Sequence, residues 1–154
     1  MPKPSTKKKA ERDLAEGKSP STAAGEFVRE EIREIRDGKH GARNTKQAIA
    51  IGLSKARRAG VPAKPSTGAS TQIKKKAAQD MARAGKRPNP KRSSASAQAR
   101  KREPRVAASF ESLSEHAKES AARRRQMGGP NAPTAVALRA AKTRKRRQAA
   151  SADK

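Results

Sequence analysis

The chain contains no cysteine, tryptophan or tyrosine, and two phenylalanines are its only aromatic residues. Without cysteine there is no disulfide framework, no thiolate zinc site and no thiol nucleophile. The scarcity of aromatics argues against stacking of bases, the usual device for reading RNA or single strands. No apolar run approaches the roughly 18 residues needed to span a membrane. No apolar stretch follows the charged Met1–Lys9 segment, so it does not read as a secretory signal. Acidic residues are few: 14 Asp and Glu stand against 39 Lys and Arg. Large aliphatics are sparse and alanine makes up much of the hydrophobic content. A chain of this composition cannot bury enough surface along its whole length to offset its ordering entropy. These absences leave a basic, soluble intracellular protein as the expectation.

What is present is positive charge, unevenly placed. The net charge is +25 in 154 residues. Residues 1–37 carry nine basic and eight acidic side chains, whereas residues 38–154 carry thirty and six. An excess of this size is the electrostatic footprint of a nucleic-acid partner, and it points to the part of the chain after residue 37.

The best-organised stretch is 21–62, which reads as two capped helices around a short basic loop. From Thr22 to Asp37, Phe27, Val28, Ile32 and Ile35 share an apolar face. Glu26, Glu30, Glu34 and Asp37 line the opposite side, with Arg29, Arg33 and Arg36 beside them. Glu26 with Arg29, and Glu30 with Arg33, are spaced to pair. The acidic stripe reads as a solvated face or as a partner for the chain's own basic residues. Gly38 is a left-handed stop. A second helix starts at Asn44, which with Gln47 fits a capping box. Ile49, Leu53 and Ala56 share one face, and Ala48, Gly52 and Ala59 beside them would let another helix approach closely. Gly60 and Pro62 end it, with Val61 folding back on Ala56. The shared core of Phe27, Val28, Ile32, Ile35, Ile49, Leu53 and Val61 is thin. It predicts steadying by ligand or by a homodimer formed through 21–62.

The fold expected is mostly α: a small helix-loop-helix module with a flexible, partly helical and substantially disordered basic tail. Residues 1–20 read as a mobile basic lead-in with a short helix near Thr6–Glu16. Residues 63–108 read as a linker with weak basic helices. One of them spans about Thr71 to Ala84, with Ile73, Ala77 and Met81 in register; 86–92 is read as extended or irregular around Pro88-Asn89-Pro90. Residues 109–154 read as a basic helical tail, with Ser112 and Glu115 as a capping box and Gly128-Gly129-Pro130 as a break. Three times a basic helix end is followed by glycine and then proline, which suits short cationic segments on flexible joints.

The residues assigned to phosphate contact are Lys39, Arg43, Lys46, Lys55, Arg57, Arg58, Lys74, Lys75, Lys76, Arg123, Arg124, Arg125, Lys142, Arg144, Lys145, Arg146 and Arg147. The second helix of the pair could also enter a major groove, presenting Lys46, Gln47, Ser54, Arg57 and Ile51. No catalytic residue is assigned. His40 and His116 lie far apart in sequence, and there is no Walker loop or dinucleotide glycine fingerprint. His40, within Gly38-Lys39-His40-Gly41, is placed to touch a phosphate, although such a histidine is more often simply solvated. His116 reads as a surface residue. No cofactor and no metal site are expected. The reading is a non-enzymatic, largely sequence-independent DNA-binding protein, nucleoid-associated in the cytoplasm. Duplex DNA is favoured over RNA, and no membrane partner is expected. Two alternatives stand beside it: a plasmid-maintenance or antitoxin-like module whose Phe27/Ile35 face binds a protein, and an RNA- or ribosome-binding protein.

Residues 19–60 also resemble a known family. Ser19-Pro20-Ser21-Thr22, Gly25-Glu26-Phe27-Val28-Arg29-Glu30-Glu31, Gly38-Lys39-His40-Gly41-Ala42-Arg43 and the run Thr45 to Gly60 are similar to a family of small basic bacterial proteins of unknown function. Some members of that family are labelled plasmid stabilisation proteins. The resemblance implies a bacterial source and little mechanism. In composition the segments Ala121–Arg125 and Arg139–Arg147 resemble the Ala/Lys/Arg tails of bacterial histone-like proteins, a likeness that implies a chromatin role.

Overall fold

Proline and short polar caps set most of the helix boundaries. The computed structural model describes residues 2–87 and 89–128, with side chains to residue 126. Six helices form there: α1 (Pro4–Ala15), α2 (Pro20–Arg36), α3 (Thr45–Arg58), α4 (Thr71–Ala82), α5 (Pro90–Lys101) and α6 (Phe110–Gly128). A single 3-10 turn, Val106–Ala108, precedes α6. There is no strand among the described residues.

Pro4, Pro20 and Pro90 each open a helix, where the missing N–H costs nothing and the fixed φ suits the first turn. Asn89-Pro90 is therefore a helix start rather than part of an extended stretch. Asn89 Oδ1 accepts from the Arg92 amide at 3.2 Å. Asn44 caps α3 through the Gln47 amide at 2.8 Å. Gln47 reaches back to the amide of Arg43, one residue earlier than an ordinary capping box. Ser109, not Ser112, caps α6: its Oγ accepts from the Ser112 amide at 3.1 Å.

The chain divides into two units, 1–113 and 114–154. In the first, α2 packs against both α1 and α3, and α4 packs against α3. Helix α3 meets α2 through its small residues. Ala48, Gly52 and Ala56 are buried, while Ile49 and Leu53 are half-buried. A Cβ on Gly52 would stand 2.6 Å from the Val28 Cα, so the two backbones touch where a larger residue could not fit.

Two apolar clusters result. Ala10, Ala23, Ala24, Phe27, Ala56, Val61 and Ala63 form one, with Leu14, Leu53 and Ala59 against it. Ile35, Ala42, Ala48, Ala107 and Ala108 form the other, with Ile32 alongside. Burying Phe27 completely contributes about 1.5–3 kcal/mol.

Three features differ from the sequence-based expectation. Helix α1 is docked through Ala10 and Leu14, its backbone amide at Lys3 donating to Glu30 Oε1 at 2.9 Å. Alanine is enough at that contact because the helices lie close, which a search for large apolar residues does not detect. Second, residues 100–108 form a strap over the α2–α3 loop. Gly41 N–H donates to the Arg100 carbonyl at 2.8 Å and Ala42 N–H to the Pro104 carbonyl at 2.9 Å. A Cβ at Gly41 would meet the Glu103 carbonyl oxygen at 1.9 Å, so glycine is needed for this approach. Thr45 Oγ1 donates to the Ala107 carbonyl at 2.8 Å, and Arg36 Nε to that of Ala108 at 2.7 Å. Third, α4 buries Ala77 and Asp80, whereas Ile73 remains 54% exposed.

In the second unit the described residues continue α6 as far as Gly128. Arg123 donates to Glu119 Oε2 at 3.2 Å, a pairing along one helix face.

Candidate nucleic-acid interface and an ionic cluster

The 17 side chains assigned to phosphate contact divide four ways. Lys39, Arg43, Lys46, Arg58, Lys74, Lys75 and Lys76 are exposed in the first unit. Arg43 faces Glu103 at 3.9 Å and Arg58 faces Asp80 at 3.7 Å, loose ion pairs that polyanion contact could replace. Arg123, Arg124 and Arg125 are exposed in the second unit. Lys142, Arg144, Lys145, Arg146 and Arg147 lie outside the described residues. Exposed cations that were not assigned include Lys91, Arg92 and Lys101 on α5, which buries no residue.

Lys55 and Arg57 are placed otherwise. Arg57 is 7% exposed, and its Nε donates to the Ala63 carbonyl at 2.7 Å. It pins the chain after α3 back onto the helix. Lys55 is turned toward α2, where its ammonium pairs with Glu31 Oε2 and lies 2.8 Å from Glu34 Oε2. Periodicity placed Lys55 and Arg57 with the cations and not with the core. The buried carboxylate of Glu31 meets the Lys55 charge inside the fold, and a backbone carbonyl meets Arg57.

The loop after α2 completes this cluster. Gly38, at φ +75°, ends the helix in a Schellman turn: Lys39 N–H donates to the Glu34 carbonyl and Gly38 N–H to that of Ile35, each at 3.0 Å. The chain then runs back along the last turns of α2. That return brings His40 Nε2 to 3.4 Å from Glu31 Oε1 and 3.8 Å from Glu34 Oε2. The His40 side chain is 12% exposed, so it is not the solvated residue its glycine-flanked setting suggests.

Burial pulls the Lys55 ammonium down, but the contacts and charges of Glu31 and Glu34 outweigh it and hold the group above its ordinary range. Burial pushes Glu34 up, yet Lys55, aided by Lys39 and His40, holds its carboxyl below the usual range. Both groups therefore remain charged at neutral pH.

Glu26 pairs with Arg29, three residues on, as its spacing predicts. Glu30 does not complete the second such pair. It is buried and receives the Lys3 amide instead. The acidic side of α2 is thus partly a packed face, matched by Lys55, His40 and the start of α1.

No family model, curated protein or solved structure matches the chain. No helix among the described residues is long and apolar enough to cross a membrane.

Proposed function

We propose that this protein is a non-enzymatic, largely sequence-independent DNA-binding protein of the bacterial nucleoid. In this reading the α2–α3 helix-loop-helix and the elements packed on it form an ordered head, and the later basic segments neutralise phosphates. The observation that carries the proposal is the charge left over after internal pairing. With 14 acidic residues against 39 basic ones, at least 25 cations have no carboxylate to meet within the chain. Lys74, Lys75 and Lys76 on α4, and Lys91, Arg92 and Lys101 on α5, lie exposed to water. Each cation that meets a phosphate releases counterions, so affinity is high in dilute salt and falls steeply as salt rises. Few aromatics are available for stacking, which favours duplex over single strands. The resemblance of residues 19–60 to proteins labelled for plasmid stabilisation is compatible with a DNA-bound role.

Affinity for several unrelated duplexes, measured across a salt series, tests the proposal. The expected result is similar affinity for all sequences and a log K that declines linearly with log salt, by about 0.9 per phosphate contact. A flat plot removes the reading. Competition with structured RNA separates the RNA-binding alternative. The protein-interaction alternative relies on the Phe27/Ile35 face, and both side chains are wholly covered by residues of this chain. A partner would need a different surface.

A further inference from the structure

Glu31, Glu34 and His40 present three potential metal-ligand atoms within 4.8 Å of one another. Around a tetrahedral zinc ion, with bonds of about 2.0–2.1 Å, ligand atoms stand about 3.3–3.4 Å apart. The His40 Nε2 to Glu31 Oε1 separation is 3.4 Å, and that to Glu34 Oε2 is 3.8 Å. The spacing therefore needs little adjustment.

Two further observations point to an ion. The Nδ1 of His40 lies 3.1 Å from the Gly41 carbonyl, and that hydrogen bond assigns the ring proton to Nδ1. In the neutral ring, the form that binds a metal, the Nε2 lone pair is then turned toward Glu31 and Glu34. A histidine that donates from one nitrogen to a backbone carbonyl and offers the other is the arrangement found at metal ligands. Second, Glu31 is wholly buried and its Oε1 receives no hydrogen bond. Lys55 does not supply one, since its ammonium sits on Oε2 of the same carboxylate and on Glu34. In that neutral form the lone pair faces a buried carboxylate oxygen, and a proton or a metal ion between them relieves the repulsion. While the His40 ring is neutral, two carboxylates against one ammonium also leave one negative charge at this place.

We propose that Glu31, Glu34 and His40 bind a divalent transition-metal ion of zinc's kind, with water completing the coordination. Lys55 holds the outer oxygen of Glu31, Oε2, in position, and the ion shares Glu34 Oε2 with its ammonium. The ion ties the loop at His40 to the last turns of α2. Magnesium and calcium, which take six or more oxygen ligands, fit this nitrogen-containing set poorly. The site is independent of the proposed nucleic-acid role.

The test uses untagged, metal-free, full-length protein titrated with zinc against a chromophoric chelator, with histidine resonances followed by NMR. The expected result is one equivalent bound, a shift of the His40 ring and none of the His116 ring. Magnesium should not compete. His40→Gln should weaken zinc binding by about a hundredfold or more, above the range typical when only a supporting group is lost. Glu31→Gln should do the same, and His116→Gln should bind as the parent does. His40→Gln is the safer variant for folding, checked by circular dichroism, because it leaves the Lys55 pairing intact. The proposal is overturned by an absence of saturable one-equivalent binding. Binding that survives His40→Gln, or a His40 ring that keeps both protons in excess zinc, overturns it equally.

Discussion

Helices α3 and α5 look alike as sequence and differ in use. Each has 12 to 14 residues, carries three alanines, and ends on basic side chains. Helix α3 buries Thr45, Ala48, Gly52, Ala56 and Arg57, and it turns Lys55 against two carboxylates. Helix α5 buries nothing and is attached at its end, where the Arg100 carbonyl accepts the Gly41 amide. The comparison shows that a count of cations overstates the charge available to a partner. Where a glycine allows close approach and the surroundings offer a buried carboxylate or a backbone carbonyl, lysine and arginine become parts of the fold. Where neither is present, they remain on the surface.

Lys55→Met is the sharpest way to break this contrast. It leaves Glu31 buried without its countercharge, and the expected loss is about 3–5 kcal/mol in denaturant unfolding. An unchanged midpoint would mean that α3 uses its cations no differently from α5.

The pH dependence of stability should show the same cluster. Glu34 is depressed in the fold, so its contribution is present above the ordinary glutamate value of 4.5 and is lost as pH falls through the folded value. Lys55 is raised, so its contribution is present below 10.5 and is lost as pH rises through its folded value. Denaturant midpoints measured from acid to alkali should show both declines, and Lys55→Met should weaken both.

Gly52→Ala comes next in size. The added methyl group meets the α2 backbone at Val28, and overpacking of this kind costs about 1–3 kcal/mol. A neutral or stabilising result would mean that α2 and α3 can separate freely, as α5 can from its surroundings.

Replacing Lys91, Arg92 and Lys101 of α5 together by glutamine should have the smallest effect on stability, within about 0.5 kcal/mol. Its effect should fall on DNA binding, with the salt slope shallower by about 0.9 for each phosphate contact removed. A large loss of stability from this variant would erase the distinction between the two helices.

Much of the helical fold was legible before any coordinates. The span of α2, the Asn44 cap, the stops at Gly38 and Gly60 and the fold-back of Val61 on Ala56 each rest on local chemistry that one stretch of sequence carries in full. Contacts made by alanine were not legible. Ala10, Ala107 and Ala108 carry no periodic signal strong enough to mark a docking face, yet they cover the two clusters. The thin core that seemed to call for a second copy of the chain is covered in part by these residues from its own two flanks. The ionic cluster was missed for a related reason. Glu31 lies outside both the apolar and the acidic stripes of α2, and His40 reaches it only because the Schellman turn sends the chain backward.

The strap has a consequence for how the molecule is made. Thr45 and Arg36 bond to carbonyls 62 and 72 residues further along the chain. A ribosome releases its product from the N-terminus, so Ile35 and Ala48 leave the exit tunnel long before Ala107 and Ala108 can cover them. During translation the head of this protein is a half-roofed structure, and its last tile is carried by a segment that composition alone would assign to a linker.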